Sequence, residues 1–324
     1  MALEAIYEQD FLDCSYGFRP GRSAHQALEA LRNASVYMAG GWVLEVDIQK
    51  FFDTLDHHHL QELVRRRVRD GVLLRLIGKW LNAGVMESGE LSYSEAGTPQ
   101  GGVISPLLAN VYLHEVLDAW FERNVKPRLQ GRTMLVRYAD DAVMLFSREE
   151  DARRVMEVLP KRFAKYGLTL HPSKTRLVEF RRPDRRPPRD GGEGGPGTFD
   201  LLGFSHYWGL SRKGHWVVKQ RTARDRFTRA VRKVADWCRL HRHRPIAEQH
   251  QALTQKLRGH FGYYGITGNH DALERFWKLT RHAWRKWLGR RSSRRRMPWH
   301  RMAGLLKRYP LPLPRIVRRW WAPA

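Results

Sequence analysis

The chain has 324 residues, 42% hydrophobic and 11% aromatic, enough for a real core and for two domains more readily than one. A formal charge of +25 points to polyanionic partners. Two cysteines, Cys14 and Cys238, exclude a disulfide framework and a four-thiolate zinc site, and no stretch approaches the ~18 apolar residues of a membrane span.

The opening "MALEAIYEQDF" has neither the basic start nor the apolar run of a signal peptide, so a reducing cytoplasm is the default compartment. Residues 42–48, "WVLEVDI", alternate as a strand, with Trp42, Leu44, Val46 and Ile48 on a core-facing side and Val43, Glu45 and Asp47 on the other. Helical spacing follows over 56–81. It begins at His57-His58-His59, whose side chains point in different directions and read as a surface run. "AGTPQGGVISP" is a loop, and Ser105-Pro106 starts a helix with an apolar stripe at Leu107, Leu108, Val111, Tyr112 and Val116. Two strands, 133–138 and 141–146, join tightly at Ala139-Asp140, followed by a helix at about 149–166 and a strand at 168–180. This order predicts an α+β fold, a small, mostly antiparallel sheet backed by helices. "RRPDRRPPRDGGEGGPG" (181–197) reads as a mobile loop, a hairpin forms around Lys213-Gly214, and from about 220 the chain turns helical and basic. Residues 1–180 hold 23 Lys/Arg against 24 Asp/Glu, a net −1, whereas 181–324 hold 35 against 9, a net +26.

The sharpest chemical signal is "LVRYADDAVMLF" (135–146), which sets Asp140 and Asp141 between two apolar strands. An Asp pair is ordinarily a turn. Here it follows Tyr138, and a third carboxylate, Asp47, closes another strand 93 positions earlier. If the two strands pair, three carboxylates converge. An oxygen-only cluster of that kind suits Mg²⁺, with positions left for phosphate and water. Two such ions clamp an in-line phosphoryl displacement.

"YADD" in an apolar hairpin, "VDIQKFFD" upstream and "TPQGGVISPLLANVYLHEVLD" between them resemble reverse transcriptases, closest to the group II intron maturase type. "YGFRPGRSAHQAL" (16–28), "GLTLHPSKTRLVEF" (167–180) and "FDLLGFSHYW" (199–208) extend the resemblance in the family's order. "LRGHFGYYGITGNHDALERFWKLTRHAWRKWL" resembles its maturase, or thumb, region. The resemblance implies a polymerase palm followed by a mostly α-helical basic thumb. Residues 1–210 would be partial fingers and palm, and 211–324 the thumb/maturase RNA-binding region. It implies an RNA-directed DNA polymerase working on an RNA template or intron RNA, a DNA primer and deoxynucleoside triphosphates, with two Mg²⁺ ions or Mn²⁺ in their place.

Carried over residue by residue, Asp47, Asp140 and Asp141 are the catalytic metal ligands, and the Ile48 carbonyl completes a metal site. Phe52 is the aromatic gate against a 2′-hydroxyl, or an ordinary core Phe. Gln100 touches the incoming nucleotide. Lys174 lies near the triphosphate or in solvent. Leu202-Gly203-Phe204 grips the primer backbone. Arg19 and Arg22 contact the template or form structural ion pairs. The Trp face at 277–287 packs between helices, while Arg281, Arg285, Arg290 and Arg294 bind RNA phosphates. The resemblance also implies that a chain whose Met1 falls just before "YGFRPGRS" lacks most finger strands, and that it has no cysteine-bearing endonuclease tail. Three other readings compete: an RNA-binding splicing factor without polymerase activity, a domesticated reverse transcriptase, and a generic DNA-binding protein.

Overall fold

A computed structural model describes residues 2–82, 85–87, 90–92, 105–183, 197–211, 213–292 and 297–320. In chain order the elements are α1 (Ala2–Tyr7), α2 (Ala24–Tyr37), β1 (Trp42–Val46), α3 (Phe51–Thr54), α4 (His57–Arg67), α5 (Gly71–Asn82), β2 (Val85–Glu87) and β3 (Glu90–Ser92). Next come α6 (Ser105–Leu113), β4 (Thr133–Tyr138), β5 (Asp141–Phe146), α7 (Glu149–Ala164), β6 (Arg176–Glu179), β7 (Phe199–Leu201), β8 (Phe204–Leu210) and β9 (Trp216–Thr222). Four helices finish the chain: α8 (Arg224–Leu240), α9 (Ile246–Tyr264), α10 (His270–Leu288) and α11 (Trp299–Arg308). The chain divides into two compact units, one of residues 1–202 and 207–218, the other of 203–206 and 219–324.

The first unit is built on an antiparallel sheet in the order β4-β5-β1-β6. Both its faces are covered, which differs from the one-sided strand that the alternation of 42–48 predicts. Leu44 and Val46 pack with Leu135, Met144 and Phe146 against α4, α6 and α7, through Leu60, Val64, Leu108, Tyr112, Val155 and Phe163. Val43, Val136, Val143 and Leu145 point the other way, into Ala27 and Leu31 of α2 and into Phe180, Phe199 and Trp208. Alternation shows only which residues share a face, not whether a distant segment covers the second one. Each large apolar side chain buried in these layers contributes roughly 1.5–3 kcal/mol.

Two further differences have local causes. The helical stretch at 56–81 is two helices, because Val68 turns extended and Asp70 caps the second, its Oδ1 accepting from the Val72 and Leu73 amides at 2.7 and 3.1 Å. In the stretch 168–180 only Arg176–Glu179 is a strand. Before it the chain folds into a turn in which His171 O accepts from the Lys174 and Thr175 amides at 3.3 and 2.9 Å. The hairpin at 213–214 forms between β8 and β9, with Gly214 at φ 80°. Of the predicted mobile loop, residues 184–196 lie outside the described residues.

The second unit is helical. Val234, Leu253, Leu257, Phe261, Leu273, Phe276 and Trp284 form its core. Trp284 is fully buried and donates from Nε1 to Gln249 Oε1 at 2.9 Å, so the core's largest side chain has its one polar group satisfied. Among the described residues no helix is long and apolar enough to cross a membrane.

Candidate active site

The β4–β5 ladder runs from Thr133↔Phe146 to Tyr138↔Asp141, leaving Ala139 and Asp140 as a two-residue turn. Such a turn needs left-handed backbone, and Ala139 supplies it at φ 56°. On the other side of β5, β1 pairs Val46↔Ala142, and one more step in that register brings Asp47 opposite Asp141. The strand pairing that the sequence pattern predicts is present, and it sets the backbone positions of Asp47, Asp140 and Asp141 at the same end of the sheet.

Asp140 feels the charge of Asp47. The Asp140 carboxyl is held above the usual carboxylate range, first by burial and then by Asp47, with its own backbone amide, Arg137 and Lys174 pulling the other way. Lys174 brings Nζ to 3.2 and 3.4 Å from the two Asp47 oxygens while staying 60% exposed. The 169–175 loop that carries it is fastened to the strand end. Gln49 N donates to Thr169 O at 2.8 Å, and His171 N donates to Asp47 O at 2.8 Å.

Among the described residues no three His, Cys, Asp or Glu side chains form a ready metal-holding group. The donor chemistry nevertheless fits a hard divalent cation. Burial and the charge of Asp47 raise the cost of ionising Asp140, and a lysine ammonium serves Asp47 as counter-charge. Ile48 is buried in the core and bridges to Leu170. Phe52 is half-buried, its ring 5.2 Å from Phe51 and steeply inclined to it. Gln100 lies outside the described residues.

The remaining predicted residues are placed as follows. Leu202 and Gly203 make a tight turn, at φ 52° and 78°. Phe204 is buried, with Tyr263 and Tyr264 at 5.6 and 5.1 Å, and Leu202 is half-buried. Arg19 takes the structural alternative. It is buried, donating to Glu8 Oε1 at 2.7 Å and to the Leu12 and Ser15 carbonyls at 2.6 and 2.9 Å. Arg22 pairs with Asp13 and lies over the Tyr16 ring. Arg281 sits 4.3 Å over Trp277, Arg285 4.4 Å over Trp299, and Arg290 5.1 Å over Trp287. Arg294 lies outside the described residues.

Sequence reasoning missed Arg137. It is fully buried directly behind the Asp140 turn and forms an ion pair with Asp118 at 2.6 Å. A signal was available. Arg137 shares a strand face with Leu135, a core residue, and an arginine pointing into a core must be paired.

Residues 1–206 match the family described as reverse transcriptase (RNA-dependent DNA polymerase), and 225–305 match the group II intron maturase-specific domain. Protein YkfC of Escherichia coli (strain K12) is 38% identical over 175 residues, 45% of this chain and 45% of that protein. The group II intron-encoded protein LtrA of Lactococcus lactis subsp. cremoris is 45% identical over 114 residues, 35% of this chain and 19% of that one. The matched stretches thus span less than half the length of these curated relatives. Among solved structures, telomerase from Candida albicans aligns with 94% of this chain and 52% of its own, at 13% identity and a TM-score of 0.48. With nearly two thirds of its length matched to the polymerase family and much of the remainder to the maturase domain, the chain belongs to the group II intron-encoded reverse transcriptase/maturase family.

Proposed function

We propose that the chain is an RNA-directed DNA polymerase that also binds intron RNA. The observation that carries this reading is the β1–β5 register, which brings the end of β1 at Asp47 beside the Asp140-Asp141 turn, with Lys174 against Asp47. Asp47, Asp140 and Asp141, with the Ile48 carbonyl, would hold the divalent ions. Bound Mg²⁺ supplies a lowered pKa at the attacking hydroxyl and neutralisation of the leaving pyrophosphate. Phe52 would act as the gate against a 2′-hydroxyl, Gln100 and Lys174 would contact the nucleotide, and residues 202–204 would grip the primer backbone. On this reading residues 1–210 act as partial fingers and palm and 211–324 as the thumb/maturase region, working on nucleic acid in the cytoplasm.

The gate offers a test of the polymerase reading. Phe52→Val enlarges the space at the sugar, so incorporation of ribonucleotides relative to deoxynucleotides rises by about tenfold or more in primer extension on an RNA template. An unchanged ratio in an active variant removes Phe52 from the site.

The charge of the second half supports the RNA reading. Lys286 and Arg290 lie on α10 and its C-terminal turn, each over the Trp287 ring. Replacing each with alanine weakens RNA binding uniformly across sequences and reduces the slope of log K against log salt by about 1 per residue. Filter binding over a salt series reads that slope. A second reading, an RNA-binding splicing factor without polymerase activity, draws on the same basic second half, where residues 181–324 hold 35 Lys/Arg against 9 Asp/Glu.

A further inference from the structure

We propose that Arg137 is a positioning residue, which sets the direction of the Asp140 carboxylate by tying the Ala139 carbonyl to a buried anchor made of Asp118, Asn110 and Ser15. The inference rests on the polymerase reading, because it gives the turn a chemical purpose, but its geometry stands independently.

A guanidinium has five N–H donors in a fixed plane. Arg137 uses them in a single closed cluster. Nε donates to Asp118 Oδ1 at 2.7 Å and Nη2 to Asp118 Oδ2 at 2.6 Å, a bidentate pair with both side chains fully buried. Nη2 also donates to Ser15 Oγ at 2.8 Å. Nη1 divides between Asn110 Oδ1 and the Ala139 carbonyl, each at 2.9 Å. Ala139 is the residue that turns the chain and immediately precedes Asp140. Its left-handed backbone is unfavourable for a side chain bearing Cβ and persists only if something holds it.

The anchor is itself held. Asp118 projects from residues 114–119, where the helix after α6 widens to π geometry. Asn110 Nδ2 donates to Gly17 O at 2.7 Å, and Gly17 lies against the turn so closely that a Cβ there would come within 2.3 Å of Ala139 N. The segment before it runs beside β4, with Arg137 N donating to Cys14 O at 2.8 Å and Tyr16 N to Arg137 O at 2.9 Å. The turn is therefore gripped from three directions, with Ser15, Asn110, Asp118 and Arg137 all buried. A reacting group displaced by about 1 Å can cost on the order of 100-fold in rate, so such a grip has a catalytic consequence.

The test must separate positioning from plain stability. In the double variant Arg137→Met/Asp118→Leu the buried charges are replaced by apolar side chains of similar volume, which generally preserves or raises stability. It removes the tie to Ala139. The expected result is a folded chain whose backbone amides in 135–146 exchange about tenfold faster by mass spectrometry. Its kcat for primer extension falls about 100-fold, with KM for the deoxynucleotide little changed. A folded double variant with wild-type exchange, or with wild-type kcat, overturns the proposal. If the double variant does not fold, Arg137→Lys serves. It keeps the charge but not the fork, and faster exchange with a lowered kcat again supports the proposal, whereas wild-type values of either overturn it. If the wild-type chain shows no extension, the polymerase reading fails and the exchange rates alone decide the inference.

Discussion

Truncating Arg137 to alanine destabilises the chain by about 3–5 kcal/mol, more than the loss of any exposed ion pair in the first unit. The cost comes from what stays behind. Asp118 remains fully buried with no cation, and the Ala139 carbonyl, Asn110 Oδ1 and Ser15 Oγ each lose a donor. Arg66 and Glu115 provide the internal control. Their contact is 3.2 Å long, but their side chains are 61% and 34% exposed, and pairs of that kind contribute about 0–1 kcal/mol. Urea titrations of Arg137→Ala, Asp118→Ala, the double alanine variant and Arg66→Ala check the ranking. The double variant falls short of the sum of the two singles, because the second truncation removes a charge that the first left stranded. Equal costs for Arg66→Ala and Arg137→Ala contradict the buried-network account.

Asp47→Asn has the opposite profile, with a small effect on folding and a large one on chemistry. Asp47's ion pair is with a lysine that stays 60% exposed, so little stability is lost with it. One of the charges that hold the Asp140 carboxyl above its ordinary range disappears, so that group falls toward the usual carboxylate value, with burial still opposing the shift. Extension, by contrast, falls on the order of 1000-fold, since an amide oxygen supplies neither the charge nor the bridging capacity of a carboxylate at a divalent ion. Single-turnover extension beside a thermal melt of the same preparation separates the two effects. A melting point that drops sharply, or a rate within about tenfold of wild type, contradicts the role given to Asp47.

Much of the site could be read from the sequence because strand patterning carries it. Apolar runs on both sides of Asp140-Asp141 specify a hairpin, and the alternating strand before Asp47 specifies its partner, so the pairing of β1 with β5 follows from period-two alternation. Tertiary features were out of reach. The second covered face of β1 comes from α2 and from Phe180, Phe199, Leu201 and Trp208, which no pattern local to 42–48 announces. The break between α4 and α5 depends on Asp70 capping in place of continuing, a choice that apolar spacing does not register. The Arg137 anchor joins residues 19, 27 and 122 positions away, and only the inward-facing arginine itself could have flagged it. Arg19 shows the reverse. The motif left a template contact and a structural ion pair both open, and the guanidinium is bonded to Glu8 and to the Leu12 and Ser15 carbonyls.

The central claim is that Asp47, Asp140 and Asp141 form a working polymerase centre in this chain. Primer extension on an RNA template with Mg²⁺ and deoxynucleotides, run beside the Asp140→Ala/Asp141→Ala variant, tests it most directly, with RNA binding measured on the same preparations. The account predicts extension by the wild-type chain, its loss in the variant, and equal salt-sensitive RNA binding by both. Extension that survives in the variant, or tight RNA binding with no extension by the wild-type chain, contradicts it.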